Sequence, residues 1–238
     1  MSALLHVQNL SLHAAGRALV QGLSFEARAG ERWAVIGRNA AGKSTLLRAL
    51  AGLGVPQMAG RVALQNQLDW QRHPRAAALL RAYLPQQSSD RFDLPVQEYL
   101  ALHGGQAPLI QQVAIALDIQ PLLERSITQL SGGERQRVGL CAVALQGAPL
   151  WLLDEPVSFQ DPAHQNLVGA WLCAQAEKCV VIVAHDMHWV QRFATHIIAC
   201  NEDGSWLCGS IEQMLSAPML HTLYGCAWRD VGGVWMAA

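Results

Sequence analysis

The sequence predicts an α/β fold in which parallel strands end at a common edge that carries polar residues. Trp33–Ile36 is a short apolar strand that runs into a glycine-rich loop and then into a helix ending near Gly52. Leu150–Leu153 is an uninterrupted apolar run, as expected for a central parallel strand covered on both faces. A third apolar strand, CVVIVAHD, ends at His185. Ligands of open α/β sheets bind beyond the carboxyl ends of the strands, so this edge is where we expect a site.

The loop after the first strand carries a phosphate-binding pattern. Gly37, Gly42, Lys43 and Ser44 fit G-x-x-x-x-G-K-[ST], in which backbone N–H groups wrap a β-phosphate. Lys43 is expected to reach the β- and γ-phosphates, and Ser44 to hold Mg²⁺. The chain otherwise uses arginine, with Lys178 as its only other lysine. The predicted nucleotide-binding residues are Gly37, Arg38, Asn39, Ala40, Ala41, Gly42, Lys43, Ser44 and Thr45.

Polar residues after the other strands supply the remaining parts of a catalytic site. Asp154 is predicted to hold Mg²⁺ through water, and Glu155 to polarise the attacking water as a general base. His185 is predicted to contact the γ-phosphate. Gln86 follows a predicted strand at Arg81–Leu84 and is a neutral candidate ligand of Mg²⁺ and water. The catalytic set is therefore Glu155, His185, Gln86 and Lys43, and the metal set is Ser44, Gln86 and Asp154.

A second predicted anion site contains no lysine. In LSGGERQRVGL, Ser131 followed three residues later by Glu134 is a capping-box pattern for the start of a helix. Gly132 and Gly133 remove side chains from the first turn, so that a ligand can approach the backbone closely. The free N–H groups and the helix dipole then favour negative charge.

Composition excludes several classes of function. The formal net charge is −1 and the pI about 6.7, so no overall attraction to nucleic acid is predicted. The uncharged run Val138–Leu153 is broken by Gly147 and Pro149, and we predict a buried helix followed by a strand rather than a membrane span. The six cysteines form no C-x-x-C pair, which favours free thiols in a reducing compartment. We therefore expect a soluble cytoplasmic protein.

Taken together, the phosphate loop, Gln86, LSGGE, LLDEP and His185 resemble the nucleotide-binding subunit of an ATP-binding cassette (ABC) transporter. They occur in the order and at the separations usual in that family, over nearly the whole chain. The resemblance implies a P-loop NTPase (RecA-like) core with an antiparallel β-layer and an inserted α-helical subdomain. It also implies the cofactors ATP and Mg²⁺ and pairing with a second copy of the chain. In that homodimer the signature residues Ser131, Gly132, Gly133 and Glu134 would complete the partner's site in trans.

The same resemblance implies a single ABC ATPase domain over residues 1–238. Residues 1–87 and 148–238 would form the ATP-binding core with its β-layer, and residues 88–147 the helical subdomain with the signature motif. Within that segment Leu109, Val113 and Ala116 or Leu117 recur at helix spacing. Toward the C-terminus, HIIACNEDGSWLCG predicts a hairpin with its turn at Asp203-Gly204, and Ser210 then opens a short helix.

Some positions depart from the family pattern. The aromatic residue that usually stacks on adenine falls at Ala14, with His13 next to it, which puts base stacking in doubt. In the phosphate loop, Ala40 stands where a glycine is frequent and disfavours some backbone angles. The loop after Glu155 reads SFQD, retaining Asp161, where the family usually has Ser-Ala-Leu-Asp.

The C-terminal LHTLYGCAWRD and the segment YLPQQSSDRFDLPVQEYLALHG are most similar to importer ATPases for cobalamin, haem and iron–siderophore complexes. That resemblance implies separate transmembrane permease subunits, an external substrate-binding protein and a peripheral position on the cytoplasmic face of the inner or plasma membrane. Two alternatives stay open. One is an ATPase of an exporter or of lipoprotein release, and the other is a non-transport ABC ATPase acting on DNA or ribosomes.

Overall fold

The computed structural model describes residues 3–54, 57–65, 68–70, 72–86 and 93–238. An antiparallel sheet has the strand order β2-β1-β4-β5. These strands are β1 (Ala3–Ala14), β2 (Arg17–Arg28), β4 (Met58–Leu64) and β5 (Leu68–Asp69). The predicted antiparallel layer is therefore confirmed, with four strands in the described residues.

The second sheet has the strand order β10-β9-β3-β8-β7-β6. Its neighbouring strands pair in parallel, except β10, which forms an antiparallel hairpin with β9. Its strands are β3 (Arg32–Ile36), β6 (Arg81–Leu84), β7 (Leu150–Asp154), β8 (Cys179–Val183), β9 (His196–Cys200) and β10 (Trp206–Ser210). This arrangement confirms the α/β class and places the strands that precede the motifs side by side.

Burial on both faces explains the apolar run Leu150–Leu153 of β7 and the apolar sequence of β8, since every residue of the two strands is buried. Successive side chains of a strand point to opposite faces. Accordingly, Trp151 and Leu153 belong to one hydrophobic cluster, and Leu150 and Leu152 belong to the cluster on the other face. The sheet therefore lies between two hydrophobic clusters, and the polar residues of the predicted site follow the carboxyl ends of its strands.

Helices cover both faces of this sheet. They are α1 (Lys43–Leu50), α2 (Pro74–Ala78), α3 (Val96–Leu102), α4 (Ala107–Ala116), α5 (Gly132–Leu145), α6 (Pro162–Cys173), α7 (Met187–Phe193), α8 (Ile211–Met214) and α9 (Ala217–Tyr224). A C-terminal hairpin follows, formed by β11 (Trp228–Asp230) and β12 (Trp235–Ala237). Within the described ranges, no helix is both long enough and apolar enough to cross a bilayer.

Helices α3, α4 and α5 occupy the segment for which the sequence predicted helices. The predicted boundary between residues 87 and 88 falls outside the described residues, and the division of the chain into a core and a helical subdomain stays a prediction. The buried stripe of α4, Ile110 and Ala114, continues to Leu117 just after the helix, whereas Leu109 is 42% exposed. Helical spacing alone could not select this stripe, because several apolar stripes of α4 share the same period.

Candidate active site

The phosphate loop connects β3 to α1 at the centre of the parallel sheet. Gly42 is the N-cap of α1 with φ 90°, a left-handed conformation that glycine adopts without strain. A Cβ built on Gly42 would lie 2.8 Å from Cβ of Leu19, and one built on Gly37 would collide with the carbonyl oxygen of Cys200. Both glycines of the motif are therefore required by the packing of the loop against β2 and β9, before any ligand is considered.

Ala40 takes the backbone angle that the sequence analysis treated as unfavourable for it. Its φ is 62°, in the left-handed region. The guanidinium of Arg17, on β2, donates a hydrogen bond of 2.8 Å to the carbonyl oxygen of Ala40. The β-layer thus holds the loop in this conformation even though the residue is not glycine.

Lys43 is 6% exposed and folds back into its own loop. Its Nζ donates to the carbonyl oxygens of Gly37 and Arg38, each at 2.9 Å. Burial lowers the pKa of Lys43 below its ordinary value, and the charges of neighbouring acidic groups, including Glu155 and Asp154, oppose this change. The loop therefore presents a cation whose present partners are neutral carbonyl groups that a phosphate can replace.

Asp154 ends β7 and is 2% exposed. Ser44 Oγ donates to Asp154 Oδ1 at 3.1 Å, so the first turn of α1 is joined to the end of β7. Burial raises the pKa of Asp154, although the hydrogen bond from Ser44 opposes the change. Hydroxyl and carboxylate oxygens held side by side are the hard ligands that Mg²⁺ prefers, and a cation there would relieve the cost of burying this charge.

Glu155 is held by three side chains from three segments of the chain. Its Oε1 accepts a hydrogen bond from Gln86 Nε2 at 2.9 Å and lies 3.1 Å from Nε2 of His185. Its Oε2 accepts from the hydroxyl of Ser158 at 2.8 Å. Partial burial favours the neutral acid, but the hydrogen bonds from Ser158, His185 and Gln86 outweigh it and lower the pKa of Glu155. Glu155 is therefore ionised at neutral pH, as a base must be.

Sequence reasoning missed two residues of this arrangement. Ser158 fixes the second oxygen of Glu155, and Gln136 of α5 donates through its Nε2 to the carbonyl oxygen of Gln86 at 2.9 Å. Ser158 had a weak local signal in the sequence, because it is a hydroxyl residue three positions after Glu155. Gln136 had no such signal, because it meets Gln86 only through the packing of α5 against β6.

A polar cleft of about 420 Å³ brings most of the predicted residues together. Asp154 does not line the cleft but accepts a hydrogen bond from Ser44, which does. Ser131, Gly132, Gly133 and Glu134 do not line the cleft. The residues that do are Asn39, Ala40, Gly42, Lys43, Ser44, Thr45, Gln86, Glu155 and His185.

The predicted capping box at the start of α5 is confirmed. Ser131 Oγ accepts from the backbone N–H of Glu134 at 3.3 Å, and Glu134 Oε2 accepts from the N–H of Ser131 at 2.7 Å. The N–H of Ser131 is the main reason that the pKa of Glu134 is lowered, and Arg125 adds to the effect. The carboxylate of Glu134 therefore serves the helix itself.

The glycines of this motif pack against the loop that follows Glu155. A Cβ on Gly133 would lie 2.7 Å from the carbonyl oxygen of Phe159, and a Cβ on Gly132 would lie 3.2 Å from Cβ of Phe159. The absence of side chains at both glycines is thus required by this loop of the same chain.

Residues 20–158 match the family model described as ABC transporter. The matched segment is more than half of the chain and contains the phosphate loop, Gln86, LSGGE and LLDEP. The chain belongs to the ABC transporter family. It is accordingly an ATP-binding chain with an ABC ATPase domain.

Curated members of the ABC transporter family resemble this chain over most of its length. It is 40% identical over 226 residues to the vitamin B12 import ATP-binding protein BtuD of Shigella boydii serotype 4, covering 89% of this chain and 90% of that protein. It is 37% identical over 239 residues to the hemin import ATP-binding protein HmuV of Pseudomonas aeruginosa, covering 93% and 92%. Both relatives are named as import proteins.

Solved structures of ABC transporters share the fold. One is described as an inward-facing conformation of a metal-chelate type ABC transporter, with a TM-score of 0.81, 24% identity and coverage of 99% of this chain and 96% of that one. Another is a bacterial Atm1-family ABC exporter with ATP bound, with a TM-score of 0.79, 23% identity and coverage of 90% of this chain and 40% of that one. The fold is thus shared by a metal-chelate type transporter and an exporter, and it does not indicate the direction of transport.

The contact of Gly133 with Phe159 leads to a prediction for this ABC ATPase. Gly133→Ala places a methyl group 2.7 Å from the carbonyl oxygen of Phe159 and forces the loop after Glu155 to move. We expect the free energy of unfolding to fall by about 1–3 kcal/mol, as is usual for overpacking, and hydrolysis to fall as well. Chemical denaturation and ATPase assays measure the two effects.

The matched control is Gly54→Ala, because a Cβ on Gly54 meets no heavy atom within 4 Å. We expect this variant to retain the stability and the activity of the wild type. Equal behaviour of the two variants would show that the contact at Gly133 does not constrain the loop.

Proposed function

We propose that the chain is the ATP-hydrolysing subunit of an importer that drives uptake of a metal chelate, such as cobalamin or haem, through separate membrane subunits. The observation that carries the hydrolytic part is the position of Glu155, ionised and hydrogen-bonded in the same cleft as Lys43. The importer part is supported by the names of the relatives, which cover about nine tenths of the chain.

In the proposed reaction, Glu155 accepts a proton from the water that attacks the γ-phosphate. Gln86 and His185 orient Oε1 of Glu155, and Ser158 holds Oε2, so that the carboxylate loses little freedom when it acts. Lys43 exchanges the carbonyl oxygens of its loop for phosphate oxygens. The backbone N–H groups from Gly37 to Thr45 bind the remaining phosphate charge.

Ser44 and Asp154 would hold Mg²⁺, with Gln86 as a third candidate ligand. The distance of 3.1 Å between Ser44 Oγ and Asp154 Oδ1 supports this assignment, because both oxygens can face one cation. When bound, Mg²⁺ supplies neutralisation of the charge on the β- and γ-phosphates. The protein's own part is to keep these side chains oriented between α1 and the end of β7.

The active unit that we propose is a homodimer with two ATP-binding sites. Ser131, Gly132, Gly133 and Glu134 lie apart from the cleft of their own chain, which supports a role for the start of α5 in the site of a second copy. In that role the hydroxyl of Ser131 and the free N–H groups of Gly132 and Gly133 would face a γ-phosphate. Glu134 would maintain the helix start through its capping bonds.

The partners that we propose are transmembrane permease subunits and an external substrate-binding protein, with the chain peripheral to the cytoplasmic face of the membrane. Residues 88–147 would contact the permease. A cleft of about 430 Å³ beside Gln86, lined by side chains of α3 and α5 that include Tyr99 and Gln136, supports this placement.

Reconstitution with the cognate permease tests the transport assignment. Vesicles containing both proteins are expected to accumulate cobalamin or haem when ATP is present, and vesicles that carry Glu155→Gln are expected not to. The tagged chain should also co-purify with a polytopic membrane protein. Hydrolysis that is stimulated by DNA or ribosomes, with no response to the membrane subunit, would contradict the proposal.

A further inference from the structure

The imidazole of His164 lies between two carboxylates from different parts of the fold. Its Nδ1 is 2.7 Å from Oδ2 of Asp161, the N-cap residue of α6, and its Nε2 is 3.1 Å from Oδ2 of Asp118, which follows α4. Asp118 and His164 are 46 positions apart in the chain. The histidine side chain is 27% exposed, and the two carboxylates are 60% and 59% exposed.

This geometry determines the protonation state of the bridge. An ionised carboxylate only accepts hydrogen bonds, so each ring nitrogen needs a hydrogen to bond to its partner. Both nitrogens carry hydrogen only in the imidazolium form. The backbone and side-chain hydrogen bonds from His164 lower the pKa of Asp161, so this carboxylate accepts in its ionised form at neutral pH. The bridge is therefore an aspartate–imidazolium–aspartate arrangement that neutral histidine cannot complete.

The charge of Asp118 is locally unfavourable at the end of α4. Its φ is 52°, and it ends α4 in a Schellman arrangement, with Asp118 N bonded to Ile115 O at 3.2 Å and Ile119 N bonded to Ala114 O at 2.9 Å. Glycine is the usual residue at such a position, and a negative charge there faces the negative end of the helix dipole. A cation beside Asp118 offsets this repulsion, and His164 is placed to supply it.

The other half of the bridge belongs to the loop that begins with Glu155. Glu155 and Phe159 both have positive φ, 52° and 63°, so the loop between β7 and α6 turns sharply at two non-glycine residues. Phe159 packs on Gly133 of α5, and Asp161 ends the loop by capping α6 through the N–H of His164 at 3.0 Å. Helix α5 thus contacts this loop by packing at Phe159. Asp118, after α4, contacts it at Asp161 through His164.

We propose that His164 is a positioning residue for Glu155, acting as an imidazolium that ties α4 to the end of the loop carrying the catalytic carboxylate. The inference rests on the proposed function, in which Glu155 is the base. With the bridge formed, the loop between β7 and α6 is restrained at Asp161 as well as at Glu155. Glu155 then keeps its bonds to Ser158 and Gln86. With the bridge broken, Asp161 still caps α6, but α4 no longer restrains the loop.

The charged groups around His164 predict the pH dependence of the bridge. Asp161 of α6 and Asp118 after α4 raise the pKa of His164 above its ordinary value of 6.5, whereas burial and Arg137 of α5 oppose them. A raised pKa in the folded state means that the bridge is complete at low pH and is lost as the pH rises through that raised value. The contribution of His164 to turnover should therefore disappear on the alkaline side.

Two substitutions at His164 test the role. His164→Gln removes the charge, and we expect a loss of about three- to fivefold in kcat at pH 6.5–7 with KM for ATP unchanged, a modest size because the ion pairs are partly exposed. His164→Lys keeps a cation and should retain most of the wild-type kcat, also at a pH where wild-type His164 is neutral. The control is His221→Gln, an exposed histidine of α9 whose Nδ1 lies 3.0 Å from a backbone carbonyl oxygen.

A third variant tests the role of Asp118 as a partner of His164. Asp118→Asn keeps the shape of the side chain and removes its charge, so the pKa of His164, followed by NMR of the labelled imidazole, should fall relative to the wild type. Its kcat should fall as in His164→Gln, and the double variant should be no worse than either single one. Independent, multiplying effects of the two substitutions would overturn the bridge. Equal pH profiles of kcat for the wild type and His164→Gln would overturn the positioning role.

Glu155→Gln distinguishes failure of this inference from failure of the proposed function. If Glu155→Gln is inactive while His164→Gln matches the wild type at every pH, the positioning role is wrong and the base assignment stands. If Glu155→Gln hydrolyses ATP at the wild-type rate, the proposed function itself is wrong. Thermal denaturation of each variant, expected to stay close to that of the wild type, confirms that the comparison is made between folded proteins.

Discussion

Replacing Glu155 with Gln is expected to abolish turnover and leave ATP binding intact. The substitution preserves the size of the side chain and its ability to bond to Ser158 and Gln86, but it removes the group that accepts the proton of water. General bases contribute about 10²–10⁴ to the rate, so kcat should fall by that factor. Steady-state hydrolysis measures the loss, and equilibrium binding of ATP should be unaffected.

The same variant reports on the second copy of the chain. If the start of α5 completes a partner's site, Glu155→Gln cannot hydrolyse the ATP that holds the two subunits together, and a dimer should accumulate. Sedimentation velocity with and without ATP and Mg²⁺ measures this directly. Glu177→Gln, a change at an exposed carboxylate outside the cleft, is the matched control and should behave as the wild type.

An unchanged rate of hydrolysis in Glu155→Gln would remove this residue from the role of base. A loss of turnover without a dimer would show that the chain needs its membrane subunits to pair. Repeating the sedimentation with the purified permease present then shows whether the start of α5 takes part in pairing at all.

Lys43→Ala is the second substitution with a large expected effect, and it acts on a different step. Nζ of Lys43 lies in the centre of the phosphate loop, where it bonds to the carbonyl oxygens of Gly37 and Arg38. Hydrogen bonds to charged groups contribute about 1.5–3 kcal/mol, which corresponds to roughly a 10- to 100-fold weaker Kd for ATP. Calorimetric titration with ATP and Mg²⁺ measures this change.

The chain offers a matched control, because Lys178 is its only other lysine. Lys178 Nζ bonds to the carbonyl oxygen of Gly147 at 3.3 Å and lies 5.8 Å from the centroid of the Trp151 ring, outside the cleft. Lys178→Ala should bind ATP as the wild type does. Equal affinities of the two variants would mean that Lys43 contributes only to the conformation of the loop.

Several features of the site could be predicted from the sequence because their signals are local. The phosphate loop, the capping box at Ser131 and the acidic residues after β7 each depend on residues within one short segment. In such segments, backbone angles, helix capping and the end of a buried strand follow from residue type and spacing. The predicted strand at Arg81–Leu84 and the hairpin turn at Asp203-Gly204 are likewise local, and the structure confirms both.

Other features depended on contacts between distant segments. β4 pairs with β1 across more than 40 residues, and the stripe of α4 that is buried was not the one containing Leu109. An amphipathic period leaves the orientation of a helix open when several stripes are apolar, because the neighbouring helices decide which stripe they cover. Ala40 likewise adopts a left-handed angle because Arg17 of the β-layer bonds to its carbonyl oxygen.

By itself, the sequence determined the fold class, the family and the residues of the phosphate loop and of the acidic strand end. Only the tertiary structure decided what holds Glu155 in place, that Gly133 packs on Phe159, and that His164 joins Asp118 to Asp161. The reason is physical. A motif is encoded by neighbouring residues, whereas a contact between two distant side chains exists only after strands and helices have packed, and it leaves no periodicity or composition by which the sequence could show it.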